Sequence, residues 1–354
     1  MMASGEIRMR SKLIFFMILL MLACGGVYQV FAKAPTTPKI LFTSSRDGNS
    51  EVYMMNPDGS EQVNLTQHPT EDFGAVWSPT GDKILFVSNR QGTRVRDLYL
   101  MDPDGSNVRR VLKKKAKGAR SSPAWSTDGK QFAYRYTDWD RWEFGLYLGT
   151  FGEEDAELLP FGNSPEWSPD GSEIAYSISH QFGSRLTFMD VRTRKLEQPL
   201  PDKALQWQSN PSWSAAGDKL AISGNRHPLP VILDRDLHNA WADKYTVFIV
   251  NRDGTGLQQL VEEDGPRAGV SDLSPDGSEV LYTQEINGHY QIFKIDINTG
   301  VQTQLTHIAG PFRRTNAGGD WFDPAYTTLS VSPQPDLLTT TWGQQKKENS
   351  DGRR

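Results

Sequence analysis

A five-residue turn recurs along this chain, and its recurrence constrains the fold more than any other feature of the sequence. It first appears as Trp77-Ser78-Pro79-Thr80-Gly81, and the later copies end at Gly129, Gly171, Gly217 and Gly277. The spacings between successive glycines are 48, 42, 46 and 60 residues. A β-rich run follows each turn, and each period has room for four short strands. This repeat length and strand number are typical of a β-propeller blade.

The repeats predict an all-β fold, a six-bladed propeller of four-stranded blades. The runs after the turns are residues 84–88, 132–136, 174–177, 220–223 and 280–283, and residues 40–43 form a sixth run without its own upstream turn. The first blade therefore lacks an inner strand. We expect a C-terminal strand, from the Trp321-Phe322-Asp323-Pro324 region or from residues 329–332, to close the ring and hide two sheet edges.

The repeats resemble those of TolB-like propellers, a bacterial relative of the Trp-Asp repeat. The resemblance lies in the alternation of Trp-Ser-Pro-Asp-Gly turns, as at Trp167, with Asp-Pro-Asp-Gly-Ser turns, as at Asp102, and it covers residues 40 to about 326. It implies the propeller fold and says little about function, because the repeats are scaffold. TolB itself carries an additional N-terminal domain that this sequence does not show before residue 40.

The N-terminal residues predict export. Arg8, Arg10 and Lys12 precede an apolar run, which is the pattern of a secretory signal over residues 1–34. Cleavage near residues 32–34, lipidation of Cys24 and an uncleaved anchor remain alternatives. We expect a periplasmic or extracellular location, membrane contact only through this segment or a lipid on Cys24, a propeller over residues 35–342 and a polar tail over residues 343–354.

Composition excludes several functions. The net charge of −5 does not favour a nucleic-acid binder, and a single cysteine permits neither an internal disulfide nor a cysteine-based zinc site. The motifs G-x-S-x-G and H-E-x-x-H are absent. We therefore predict no catalytic residue, metal or cofactor, and an enzyme is the less favoured interpretation.

Propeller connections alternate between the two ends of the disc, so the chain has two different faces. The Trp-Ser-Pro and Pro-Asp-Gly turns share one face, here called the turn face, and the connections of variable length share the other, the loop face. All six histidines fall on the loop face. This keeps open the alternative of a carbohydrate-active lyase or hydrolase with a loop-borne metal, although solvated histidines are the simpler interpretation.

The loop face is the predicted binding face, because loops carry function more often than repeats do. The segment with Trp139, Arg141 and Trp142 has the composition of an interface anchor, unless both tryptophans cover neighbouring blades. The predicted binding set is Arg46, Arg90, Trp139, Arg141, Trp142, His180, Trp207, Arg226, His227 and Trp241. We expect a protein or glycan partner in the cell envelope and a monomeric chain.

Three further expectations concern residues outside this set. The repeat tryptophans, such as Trp167, should be packing residues. The lysine-rich run at residues 113–117 should be a solvated loop. Residues three and five positions before each repeat tryptophan should lie near the central channel, and they include no ring of carboxylates or imidazoles.

Overall fold

Short antiparallel strands make up nearly all the regular structure of the described residues. The computed structural model describes residues 33–92, 95–181, 183–201, 203–230, 234–309 and 315–327. Across these residues, twenty-four strands form six four-stranded sheets. The predicted six-bladed propeller is confirmed. The signal segment up to residue 32, Cys24, residues 329–332 and the tail at 343–354 lie outside the described residues.

Each blade consists of strands that are consecutive in the chain, except for blade 1, which takes its inner strand from the C-terminal part. In chain order the strands are β1 (Lys39–Ser44), β2 (Glu51–Met55), β3 (Val63–Asn64), β4 (Asp72–Trp77), β5 (Ile84–Ser88), β6 (Asp97–Met101), β7 (Arg109–Arg110), β8 (Ala119–Trp125), β9 (Gln131–Asp138), β10 (Glu143–Thr150), β11 (Ala156–Leu158), β12 (Asn163–Trp167), β13 (Glu173–His180), β14 (Gly183–Asp190), β15 (Leu196–Glu197), β16 (Trp207–Trp213), β17 (Lys219–Asn225), β18 (Thr246–Asn251), β19 (Gln258–Gln259), β20 (Ala268–Leu273), β21 (Glu279–Ile286), β22 (His289–Asp296), β23 (Gln302–Gln304) and β24 (Asn316–Phe322). The sheet orders are β24-β1-β2-β3 for blade 1, then β4 to β7, β8 to β11, β12 to β15, β16 to β19 and β20 to β23 for blades 2 to 6.

The recurring turn is built by its serine. In blade 4 the Ser168 hydroxyl donates to the Asp170 carboxylate at 2.7 Å and accepts the backbone N–H of Glu173 at 2.9 Å. Gly171 follows with φ of +72°, which a side chain would disfavour. The turn therefore joins the inner two strands of blades 2 to 6 through chemistry that is local in sequence.

Strand β24 closes the ring. It pairs antiparallel with β1, with Ile40 opposite Trp321 and Leu41 opposite Asp320. This confirms the prediction that the C-terminal Trp321 region supplies the missing inner strand. Phe322 takes the place of a repeat tryptophan and packs against Trp77 of blade 2 at a centroid distance of 5.3 Å. Closure thus joins the two ends of the described chain through both a hydrogen-bonded ladder and an aromatic contact.

The core lies between blades. The described residues form a buried apolar cluster at each junction of neighbouring blades, including the one between blade 6 and blade 1. Trp77, Trp167 and Trp213 belong to these clusters with 6 to 7% of their surface exposed. The prediction that the repeat tryptophans are packing residues is confirmed for these three, whereas Trp125 is only half-buried.

The insertion between β17 and β18 forms a short helix, α1 (Arg235–Ala242). Asp234 caps the helix, because its carboxylate accepts the backbone N–H groups of Asp236 and Leu237. None of the described helical segments has the length and apolar character needed to cross a membrane.

Candidate functional site

The hairpin that joins β9 and β10 carries the most exposed aromatic residues of the loop face among the described residues. Trp139 is 66% exposed and Trp142 is 76% exposed, and Arg141 between them is exposed as well. The two indole rings pack edge-on against Phe144 of the same hairpin, at centroid distances of 5.2 and 6.1 Å. The alternative that both tryptophans cover neighbouring blades is therefore wrong.

Local hydrogen bonds hold this hairpin tip, residues 138–143, in a defined shape. The Asp138 carboxylate accepts the backbone N–H groups of Asp140 and Arg141 at 3.1 and 3.2 Å. Trp142 has φ of +55°, in the left-handed region that bulky residues rarely adopt. Since such a conformation costs free energy, an exposed tryptophan held in it is a candidate functional residue.

A second aromatic group lies on blade 5. Trp241 of α1 is 9% exposed, packs edge-on against Trp207 at 5.3 Å and donates its indole N–H to the backbone oxygen of His227. His227 also meets Glu263, with Nε2 and Oε1 3.2 Å apart. Trp241 thus anchors the helix to the disc, while His227 stays exposed at its edge.

Two adjacent cavities of about 450 and 620 Å³ lie beside α1 and share Ala242, Arg267 and Tyr290 in their walls. We call them together the helix groove. The ring of Tyr290 lies 5.4 Å from the Arg267 guanidinium. Aromatic, hydroxyl, amide and charged side chains all line the groove, among them Trp241 and Asn210.

Three of the four arginines of the predicted set, Arg46, Arg90 and Arg226, have contacts within their own blades. Arg90 pairs with the buried Asp72 at 2.6 Å and lies over Phe86. Arg46 lies over Tyr53 at 4.6 Å in blade 1, and Arg226 lies over Phe248 at 5.1 Å in blade 5. These three arginines hold equivalent positions in their blades, and each guanidinium covers an aromatic ring of its own sheet. The scaffold therefore engages each cation in part.

The predicted residues therefore do not converge on one point. Trp139, Arg141 and Trp142 lie on blade 3, and exposed His180 lies at the end of β13 in blade 4. The histidines are dispersed: His289 is buried, while His307 is exposed. Within the described ranges, no group of three or more His, Cys, Asp or Glu side chains is arranged to hold a metal ion.

The central channel contains a carboxylate group that the sequence analysis missed. A cavity of about 200 Å³ opens there on the turn-face side and is lined by Glu166, Asp272 and Asp320, from blades 4, 6 and 1. The Asp320 carboxylate accepts the backbone N–H of Trp77 at 2.6 Å, and Asp272 accepts that of Trp321 at 2.6 Å. Two of the three acids therefore connect neighbouring blades across the closure.

Burial dominates the protonation of these acids. The side chains keep some exposed surface because they border the cavity, but the surrounding protein desolvates the carboxylates. Burial raises the pKa of Glu166 well above its usual range, and the charges of Asp272 and Asp320 raise it further. Burial and the charge of Asp272 likewise raise the pKa of Asp320. The Glu166 carboxylate accepts no hydrogen bond from the residues described.

A bulge in each inner strand explains why the sequence analysis missed these acids. The residue three positions before the repeat tryptophan has positive φ, for example Ser164 at +50°, and the pairing register shifts between Asn163 and Glu166. A bulge redirects the following side chains. Glu166 and Asp272 stand directly before Trp167 and Leu273 and border the channel, and Asp320 borders it two positions before Phe322. Gln208, five positions before Trp213, is instead buried against the backbone of Leu186 and Leu205.

Comparison with known proteins agrees with this architecture. An uncharacterized protein of Agrobacterium fabrum, Atu1656, is 38% identical over 102 residues, which cover 27% of this chain and 35% of that protein. The crystal structure of TolB from Acinetobacter baumannii aligns with a TM-score of 0.64 at 16% identity over 80% of this chain and 66% of TolB. A putative TolB from Agrobacterium tumefaciens aligns at 0.56 and 15% identity, over 77% and 90% of the two chains.

The aligned regions leave part of these relatives unmatched. The chain spans about a third of the curated relative and just under two thirds of the Acinetobacter TolB. At such low identity the solved structures show the fold alone. The family profile described as TolB beta propeller domain matches residues 26–216 of the 354. Because this match spans more than half of the sequence, the chain belongs to the TolB β-propeller family.

Proposed function

We propose that this chain is an exported protein-binding propeller, whose partner docks on the loop face through the hairpin tip of blade 3. The observation that carries the proposal is the pair Trp139 and Trp142, exposed by 66% and 76% on a hairpin that its own hydrogen bonds hold in shape. Exposed tryptophans flanking an arginine are the residue types that dominate binding energy at protein interfaces.

The hairpin geometry favours recognition of another protein. A preordered tip loses little conformational freedom when it binds, so more of the contact energy appears as affinity. Arg141 between the indoles adds a cation for charge complementarity. Arg46, Arg90, His180 and Arg226 would border such an interface, and the three arginines, which the scaffold partly engages, would have a supporting role.

Site-specific photocrosslinking tests the face. A photoreactive residue at position 142 on the loop face should give an adduct with the partner, whereas one at Val301, which is 61% exposed on the turn face, should not. Trp142→Ala should weaken the binding of the captured partner by roughly 1 to 2 kcal/mol. Equal adducts at both positions would place the interface elsewhere.

A glycan partner is the second candidate, and the helix groove is the observation that favours it. Aromatic rings such as Tyr290 can cover the C–H face of a sugar, while Asn210 and Arg267 can bond its hydroxyl groups. A glycan array with wild-type protein and Tyr290→Ala tests this candidate. Binding that both proteins show equally would exclude the groove.

The location in the cell envelope, the monomeric state and the boundaries at residues 34 and 342 are part of the same proposal. The predicted signal supports export. Mass spectrometry of the mature chain should find an N-terminus near residues 33–35 or a lipid on Cys24. An intact Met1 in a soluble fraction would contradict export.

A further inference from the structure

A groove of about 520 Å³ runs between blades 2 and 3, on the opposite side of the disc from the proposed hairpin interface. Its walls are the recurring turns of both blades, the end of β6, Arg109 of β7, and Val111 and Lys113 just after β7. It is separate from the hairpin tip and from the helix groove, and neither the proposed function nor the scaffold uses it.

Comparison of the blades with one another explains why this groove is open. In blades 1, 2 and 5 the glycine of the outer turn lies directly on the preceding blade; a Cβ at Gly59 or Gly105 would collide with the backbone oxygen of Leu305 or Leu65. Blade 3 has Phe151-Gly152 at this place, and a Cβ at Gly152 would meet nothing within 4 Å. The outer turn of blade 3 therefore leaves the surface of blade 2 uncovered.

The floor of the groove is aromatic. Trp125 and Phe151 pack with their centroids 4.6 Å apart, and both are half-buried. Trp77, Trp167 and Trp213, by contrast, are buried. The indole N–H of Trp125 is buried and has no acceptor among the described residues. Such a floor suits a bulky apolar side chain, which would remove aromatic surface from water.

One rim of the groove is cationic although the chain as a whole carries a net charge of −5. Arg109 and Lys113 border the groove there and are exposed. Lys113 has one distant partner, Glu154 at 3.6 Å, and Arg109 forms no ion pair with a described residue. The opposite rim carries Asp82 and Asp128, whose carboxylates accept hydrogen bonds from their own turns.

We propose that this groove binds an acidic peptide segment of a partner protein, with a bulky apolar side chain on the Trp125 and Phe151 floor and acidic side chains against Arg109 and Lys113. The charges of these two cations identify the chemistry of the partner. The aromatic floor lies recessed between turns, so that a protruding side chain reaches it and a flat membrane surface does not.

Fluorescence anisotropy with a labelled heptapeptide of glutamates around one central phenylalanine tests the proposal. We expect saturable binding that weakens as salt is added, because the contacts at the rim are exposed. The same peptide with a central serine should bind about tenfold more weakly, because it leaves the floor uncovered. The double variant Arg109→Glu with Lys113→Glu should bind the phenylalanine peptide at least about tenfold more weakly.

The matched control is the double variant Arg192→Glu with Lys195→Glu, which makes the same change in charge at exposed positions of blade 4. It should bind like the wild type, and melting curves should show that both double variants are folded. Equal binding of the serine and phenylalanine peptides would overturn the aromatic floor. Equal loss in both double variants, or binding only to phosphatidylglycerol vesicles, would overturn the proposal as a whole.

Discussion

Glu166→Gln should stabilise the propeller at neutral pH, because the channel raises the pKa of Glu166 and glutamine removes a group whose ionisation the folded chain disfavours. Asp272 sets the scale: burial raises its pKa from 3.8 to about 6, against hydrogen bonds from Ser212, Trp321 and Leu273. One pKa unit corresponds to about 1.4 kcal/mol, so this acid alone costs on the order of 3 kcal/mol of stability once it is ionised in both states.

The stability of the propeller should change with pH in the direction opposite to that given by a carboxylate paired with a cation. A raised pKa means that the folded chain binds more protons than the unfolded chain, so stability falls as pH rises from about 4 through about 6 and beyond. Several surface acids, such as Asp170 and Asp276, have a lowered pKa, because hydrogen bonds from their own turns outweigh burial. Their stabilising contribution is complete once pH exceeds the unfolded value near 4, so the channel acids dominate the window between pH 5 and 8.

Glu166 is the residue to change, because it accepts no hydrogen bond from a described residue and loses none on conversion to glutamine. Glutamine cannot ionise, so it avoids the cost that burial and the charges of Asp272 and Asp320 impose on the Glu166 carboxylate, and we expect a gain of about 1 kcal/mol or more at pH 7.5. Asp320→Ala should instead destabilise, because it leaves the Trp77 backbone N–H without its acceptor. Urea unfolding followed by tryptophan fluorescence between pH 5 and 8 measures both.

Glu262→Gln is the control, since Glu262 is exposed and surface substitutions of this kind change stability by less than about 0.5 kcal/mol. The wild type should be more stable at pH 5.5 than at pH 7.5, and Glu166→Gln should flatten this slope. A variant that is less stable than the wild type at pH 7.5, or a wild type whose stability rises steadily with pH, would refute the reasoning.

Two further predictions concern scaffold and closure. Trp167→Ala removes a ring that is 6% exposed between blades 3 and 4, and it should lower the free energy of unfolding by about 3 to 5 kcal/mol. Trp142→Ala, at a side chain that is 76% exposed, should lower it by less than about 1 kcal/mol. Equal losses of stability in thermal melts would contradict the assignment of Trp142 to an interface. Deleting residues 316–354 removes β24 and should cause aggregation, because the edge of β1 becomes free. A melting curve like that of the full chain would show that β24 is dispensable. Deletion of residues 343–354 alone serves as the control.

Much of the architecture is determined by short segments of the sequence and could be predicted from them. The turn at Ser168 needs only the serine, Asp170 and a glycine at positive φ, all within six residues, and its spacing counts the blades. Closure by the Trp321 segment followed from the missing strand before Ile40. The hairpin with Trp139 and Trp142 was recognisable because two tryptophans in a short polar connection have little apolar surface nearby to bury them.

Tertiary structure alone decided the rest. Glu166, Asp272 and Asp320 come together from three blades, more than 100 residues apart at the extremes, because the ring returns each inner strand to one channel and a bulge in each of these strands turns the acid toward it. The bulge leaves no distinctive residue pattern, since Ser164 at positive φ stands where other blades have Gly74 or Asn210. Likewise, the groove over Trp125 exists because the outer turn of blade 3 does not reach blade 2, and such a gap depends on the packing of whole sheets and not on any one segment of the sequence.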